Sequence, residues 1–290
     1  MEDTRFLQCL AADYGDLRDA ASAAELTATV PSCPGWTVSD LVRHVAEVYL
    51  HKVTLMRTGE EPEEWPPPSL AAEAPLAALG RAYGALRAEF RTRGAGQAAP
   101  TWYGPDQTVG FWIRRMAQET VIHRIDAELA AGLPVTPVPD DLAADGVDEV
   151  LKRMLAYGSV TWPEDFAEIE GGHLAGPGEI TVAAGQAAWT VRPSPHAVEV
   201  EDGASDDPRA VVDGPADLGG TRPKQVLEIL LAARGHRVTT DRLAELIWGD
   251  ERPQDPAGAL QTFVSSLRRN LDADRERARA LAVTESEAYR

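Results

Sequence analysis

The chain has 290 residues, 44% hydrophobic and 26% charged, with a formal net charge of −18. That suits a globular protein of two or three domains, and the acidity argues against a surface coated for nucleic acid. No apolar run approaches the ~20 residues of a membrane span. The N-terminus (MEDTRFLQCLAADYGD) lacks a signal peptide's basic and apolar regions. Cys9 and Cys33 have no metal-like spacing, so a cytoplasmic protein with reduced thiols and no membrane partner is expected.

A first helix is predicted over 4–27, with Phe6, Leu7, Leu10, Tyr14 and Leu17 on one side. "VPSCPGWT" breaks it. Thr37 then serves as an N-cap, with Asp40 in the first turn of a second helix over 38–58. Its apolar residues include Leu41, Val45, Val48, Val53 and Leu55. After the loop "GEEPEEWPPPS" comes a third helix over 69–93, then a fourth over 108–131 that stops at Gly132 and Pro134, then a shorter one near 140–156. Four long amphipathic helices suggest an antiparallel bundle. "EITVAAG", "AAWTVRPS" and "HAVEVEDG" alternate like short strands, and "RAVVDGPADLGG" has room for one more. In the tail, "RPKQVLEILLAARG", "TTDRLAELIWG" and "AGALQTFVSSLRRNLD" read as three helices, with Thr240 as an N-cap, and "ALAVTESEAYR" as a strand, a turn and the start of another strand. Charge separates this tail from the body. Residues 218–290 carry 12 Lys+Arg against 11 Asp+Glu, while the rest carries 16 against 35. A small DNA-binding module on an acidic body has that profile, and so does an ordinary neutral domain.

In "QETVIHRIDAEL", Glu119 and His123 are one helical turn apart and share a face. Such a pair is either half of a metal site or a helix-surface contact. The second helix offers His44 and, seven residues on, His51. Two neutral imidazoles, one carboxylate and an open position make the ligand set of a catalytic zinc centre, whereas a closed structural site would want four ligands. Asp126 is either an orienting partner for a liganding imidazole or a solvated acid. Trp36 reads as core or staple, and Cys33 as a small buried residue. No nucleophile–base order and no phosphate-cradling glycine loop is present, so no catalytic residue is assigned.

"PSCPGWTVSDLVRHVAEV" followed by "WIRRMAQETVIHRIDAEL" resembles the mycothiol-dependent maleylpyruvate isomerase family, over roughly residues 5–160. The resemblance implies a DinB-like bundle with zinc held at His44, Glu119 and His123, and mycothiol as the thiol that the zinc activates. His51 is the runner-up ligand, or a helix-surface or lining histidine. The family's following α/β domain is matched only loosely and looks cut short. The tail, over 218–290, resembles the OmpR-type winged helix of actinomycete antibiotic-regulatory proteins, through "RPKQVLEILL", "RVTTDRLAELIWGD" and "ALQTFVSSLRRNL". Within that resemblance the last of these is the recognition helix. Leu260, Phe263, Val264, Leu267 and Leu271 form its buried stripe, and Gln261, Thr262, Ser265, Ser266, Arg268 and Arg269 face DNA. The expected wing is short, and the family's following activation domain is absent from the sequence.

The combined expectation is an α+β multidomain protein: a four-helix DinB-like bundle over 1–160, a small α/β or β segment over 161–217, and a winged helix-turn-helix over 218–290. Its expected function is a DNA-binding transcription regulator whose bundle senses a thiol or small metabolite at a divalent metal, zinc being the expected ion. The partners are double-stranded DNA, the small molecule and a second copy of the chain. Two alternatives stand beside it: a mycothiol-dependent isomerase or S-transferase, and a non-enzymatic interaction protein.

Overall fold

The structure is a computed structural model that describes residues 1–67, 70, 72–163, 178–194, 197–214, 238–248, 256–271, 284–285 and 288–289. It divides into two compact units, Met1–Gly146 and Val147–Arg290.

The first unit is a four-helix bundle: α1 (Asp3–Ala23), α2 (Val38–Thr58), α3 (Pro75–Thr92) and α4 (Val109–Ala130), followed by α5 (Asp140–Asp148). α1 packs along α4 and α2 along α3, and α2 also touches α4. The predicted stripes point inward. Phe6, Leu10, Tyr14 and Leu17 of α1 and Leu41, Val45, Val53 and Leu55 of α2 are buried, with Leu7 and Val48 packed at the edge of the same core. α2 begins at a reciprocal cap in which the Thr37 hydroxyl accepts from the Asp40 N–H while the Asp40 carboxylate accepts from the Thr37 N–H. α3 is shorter than the predicted 69–93, because Pro75 opens it at its first turn, where a missing N–H costs nothing.

α4 holds the middle of the bundle and is buried on most of its circumference, which carries polar side chains inward with the apolar ones. Arg124 is wholly buried. Its guanidinium reaches Asp13 of α1 at 2.9 Å, Glu128 at 2.7 Å and the carbonyl oxygen of Thr136 at 2.8 Å. Burial pushes the Asp13 carboxyl up against the opposing pull of Arg124. Cys9 and Cys33 are free thiols.

The second unit opens with a π-helix (Glu149–Ala156) that continues directly into α6 (Tyr157–Thr161). The predicted helix near 140–156 is thus the first part of a helical run that continues to Thr161. A four-stranded sheet follows, β1 (Glu179–Ala184), β2 (Ala187–Pro193), β3 (Val198–Asp202) and β4 (Pro208–Gly214), in the order β3-β2-β1-β4. β1–β2 and β2–β3 are antiparallel hairpin neighbours, and β4 returns to pair parallel with β1. β1, β2 and β3 coincide with the three alternating stretches of the sequence, and β4 with the stretch that has room for one more.

The tail contributes β5 (Val238–Thr239), α7 (Thr240–Trp248), α8 (Pro256–Leu271), β6 (Thr284–Glu285) and β7 (Ala288–Tyr289), the three short strands forming a sheet in the order β5-β7-β6. The Thr239 hydroxyl accepts from the Arg242 N–H, so the cap of α7 lies one residue before the expected Thr240. α7 and α8 pack together, burying Leu243, Ala244 and Ile247 with Leu260 and Val264. Phe263 is half-buried, and the side chains of Leu267 and Leu271 lie outside the described residues. The predicted helix "RPKQVLEILLAARG" also lies outside them. Among the described residues no helix is long and apolar enough to cross a membrane.

Candidate metal centre

α2 and α4 run antiparallel past one another, and their facing sides build the site. His44 stands two turns into α2, while Glu119 and His123 are one turn apart on α4. The Nε2 atoms of both imidazoles converge on one carboxylate oxygen, Glu119 Oε1, at 3.2 Å from His44 and 3.1 Å from His123. The three donor atoms lie within 4.8 Å of one another. His51, two turns beyond His44 on α2, is not among them: its Nε2 lies 2.8 Å from Glu61 Oε2.

The surroundings fix two of the three ligands. Arg115 donates to Glu119 Oε2 at 2.5 Å, which leaves Oε1 for the imidazoles. His123 Nδ1 donates to Asp126 Oδ2 at 2.9 Å, and Ser32 donates to the other Asp126 oxygen at 2.5 Å. Asp126 is buried, so it orients His123 and is not a solvated acid. Cys33 is half-buried, with its sulfur 3.7 Å from Asp126. Trp36 is half-buried against the core, its ring centroid 4.9 Å from that of His44 and 6.5 Å from that of His123, so it walls the site. Beneath, the buried Tyr49 hydroxyl lies 2.5 Å from Thr120 Oγ1, which itself donates to the Met116 carbonyl oxygen.

Charge in this site is tightly coupled. Burial alone would raise the Glu119 carboxyl, but hydrogen bonds from His123 and His44 and the charge of Arg115 hold it well below the usual carboxylate range. Burial alone would lower His123, but its hydrogen bonds to Asp126 and Glu119 outweigh that and raise it to about 9. Both ring nitrogens of His123 face carboxylates, and its Nε2 lies where a cation would bind. The donor set fits a divalent ion: two imidazole nitrogens and one ionised carboxylate, with Asp126 holding His123 and Arg115 holding Glu119.

The tail residues assigned to DNA lie on α8. Gln261 and Thr262 are exposed, Thr262 donating to the Gly258 carbonyl oxygen at 2.9 Å. Ser265, Ser266, Arg268 and Arg269 belong to the same helix, and their side chains lie outside the described residues.

Sequence reasoning missed Arg115, Ser32 and the Arg124 network. Arg115 was visible as an i, i+4 partner of Glu119, but its role depends on how that face is buried. Ser32 and Asp13 are distant in sequence from the residues they hold, and nothing local marks them.

Comparison with protein-family models matches residues 7–128 to the mycothiol maleylpyruvate isomerase N-terminal domain. Residues 219–290 match the C-terminal domain of transcriptional regulatory proteins. A search of the curated proteins returns no match. Among solved structures, one described as the mycothiol-dependent maleylpyruvate isomerase is similar, with 16% sequence identity and a TM-score of 0.49 over 74% of this chain and 85% of the other.

Proposed function

We propose that this chain, which joins an isomerase-type N-terminal domain to a transcriptional-regulatory C-terminal domain, is a DNA-binding regulator whose bundle senses a thiol or small metabolite at a metal. The carrying observation is the complete His44–Glu119–His123 triad in the same chain as the regulatory match. A divalent ion, zinc by the chemistry of the donor set, supplies when bound a Lewis acid that holds a thiol as its thiolate.

The chain's own groups prepare that event. Asp126 keeps the His123 ring turned so that Nε2 faces the triad. Arg115 holds Glu119 in one orientation. Trp36 narrows the approach, and the buried Tyr49–Thr120 pair packs behind it between α2 and α4.

In the tail we assign α8 as the recognition helix of a winged-helix reader over 218–290. Gln261, Thr262, Ser265 and Ser266 suit base edges or phosphates, and Arg268 and Arg269 suit phosphate or guanine. The local charge of the tail is nearly balanced, with 12 basic against 11 acidic residues, so one copy has modest affinity and a homodimer on a repeated site gains more.

A second reading, a mycothiol-dependent isomerase or S-transferase, is favoured by the intact support of the triad, which sensing alone does not require. Selection of random duplex DNA by the full chain, with and without chelator at fixed moderate salt, separates the two. A regulator enriches a repeated motif, and removing metal changes that enrichment. No enrichment from protein that retains its metal would overturn the proposal. Mycothiol-dependent turnover lost on His44→Ala would then establish the enzyme.

A further inference from the structure

The four-stranded sheet has two edges of opposite character. β3 forms one, and its Glu199, Glu201 and Asp202 are exposed carboxylates. Glu201 pairs with Arg192 at 2.7 Å and Asp202 with Lys152 at 2.6 Å, so that edge is charged and engaged. β4 forms the other, with β1 on one side and, among the described residues, no strand beyond it. Its central residues Val211 and Val212 point to opposite faces of the sheet and are 48% and 43% exposed.

Charge is a common defence of an edge strand against pairing, and a bare apolar edge is a template for another strand. Identical edges from two copies extend one pleated sheet when a two-fold axis stands perpendicular to it. The strands then run antiparallel, each side chain keeps its own face, and one residue sits opposite itself. β4 has seven residues, Pro208–Gly214, with Val211 at its centre. An axis at Val211 pairs the whole strand. Val211 then faces Val211 and Ala210 faces Val212, an apolar centre, while position 209 faces position 213, an arginine against an aspartate at each end. An axis at position 210 sets Asp213 against Asp207, and one at position 212 sets Asp213 against Val211. The same operation on β3, centred on Val200, sets Glu199 against Glu201 on both sides of the axis. Charge thus selects the β4 seam and rejects the β3 one.

We infer that β4 is the dimer interface of this chain, pairing antiparallel with β4 of a second copy about Val211 so that two four-stranded sheets become one. Any extended peptide can satisfy the backbone of an edge strand, but a second β4 also matches its apolar centre and its charges. The inference names the surface for the homodimer invoked above for DNA reading, and dimerisation through it does not require DNA. One strand pair is smaller than a standard interface of about 1,600 Å², so the dimer is reversible, with a dissociation constant on the order of 10 µM.

The test is sedimentation velocity of the full chain, without DNA, at concentrations spanning that value. A monomer–dimer equilibrium is expected. Arg209→Asp and Asp213→Arg each set like charges opposite one another at both ends of the seam, and each should weaken the dimer about tenfold. The double variant that carries both exchanges restores the opposite-charge pairs and should restore the dimer, which shows that the single losses are of the seam and not of the fold. A chain that stays monomeric throughout overturns the inference and leaves the edge to a different partner. A dimer indifferent to both single exchanges, or one that the double variant fails to restore, overturns it by placing the interface elsewhere. Because DNA is absent, a dimer with the expected pattern stands even where duplex selection enriches nothing.

Discussion

The α2–α4 face and the α8 helix are both candidate recognition surfaces, and they are built on opposite principles. The first is prearranged. Arg115 fixes Glu119 and the buried Asp126 fixes His123, while the three ligands themselves are half-buried. The second presents short polar side chains at an exposed face, Gln261 and Thr262 among them, over a buried stripe of Leu260 and Val264. A metal ligand must be aimed before the ion arrives, because an unaimed one adds ordering cost to binding. A groove reader needs a rigid stripe behind it and freedom in front, where water and phosphates complete its contacts. Substitutions at the first surface should therefore act through residues that never touch a ligand.

The largest such effect is expected at Arg124. It lies one residue beyond His123 on α4, wholly buried between Asp13 and Glu128. Arg124→Met keeps the volume but strands two buried carboxylates, and should destabilise the bundle by about 3–5 kcal/mol. Thermal melting of the full chain checks this. A melt unchanged within error would mean that the network carries no net stability and that the rigidity of the triad comes from apolar packing alone.

Asp126→Ala separates aiming from stability. It removes the acceptor of His123 Nδ1 and the partner of Ser32. Metal affinity, measured by zinc titration against a competing chelator, should fall about 10–100-fold, the usual cost of losing a residue that orients a ligand. Unchanged affinity would show that His123 is held by packing and that Asp126 is incidental.

The difference between the two surfaces also explains what the sequence made legible. Helix periods, the Thr37 cap and the alternating strands are local, and the structure has each of these elements, with bounds shifted where Pro75 opens α3 late. The triad was readable because two of its members are one helical turn apart and the third follows a recognisable motif. Its supports were not. Ser32 reaches Asp126 across 94 positions, and Asp13 meets Arg124 across a helix–helix contact. The π-helix was invisible for another reason: its residues are ordinary helix formers, and the extra residue per turn reflects tertiary fit.

The smallest expected effect lies at the far end of the α2–α3 pair, where electrostatics serves the fold and no ligand. Glu89 accepts from Arg57 at 2.6 Å and from Arg93 at 2.9 Å. Burial pushes its carboxyl up, but the hydrogen bonds from Arg93 and Arg57 pull it below the usual range. A depressed folded value means that the stabilisation is fully present above the unfolded carboxylate value near 4.5 and fades as pH falls through the folded one. Glu89→Gln should therefore cost about 1 kcal/mol at pH 7, since Arg57 is more than half exposed and water screens its share. The gap between the two proteins should close as pH drops below the unfolded value, because the native glutamate is then neutral as well. A gap independent of pH would mean that Glu89 acts through hydrogen-bond shape and not charge. That would place it with Asp126 as a positioning group, and the contrast between charge-built support and geometry-built support within the bundle would disappear.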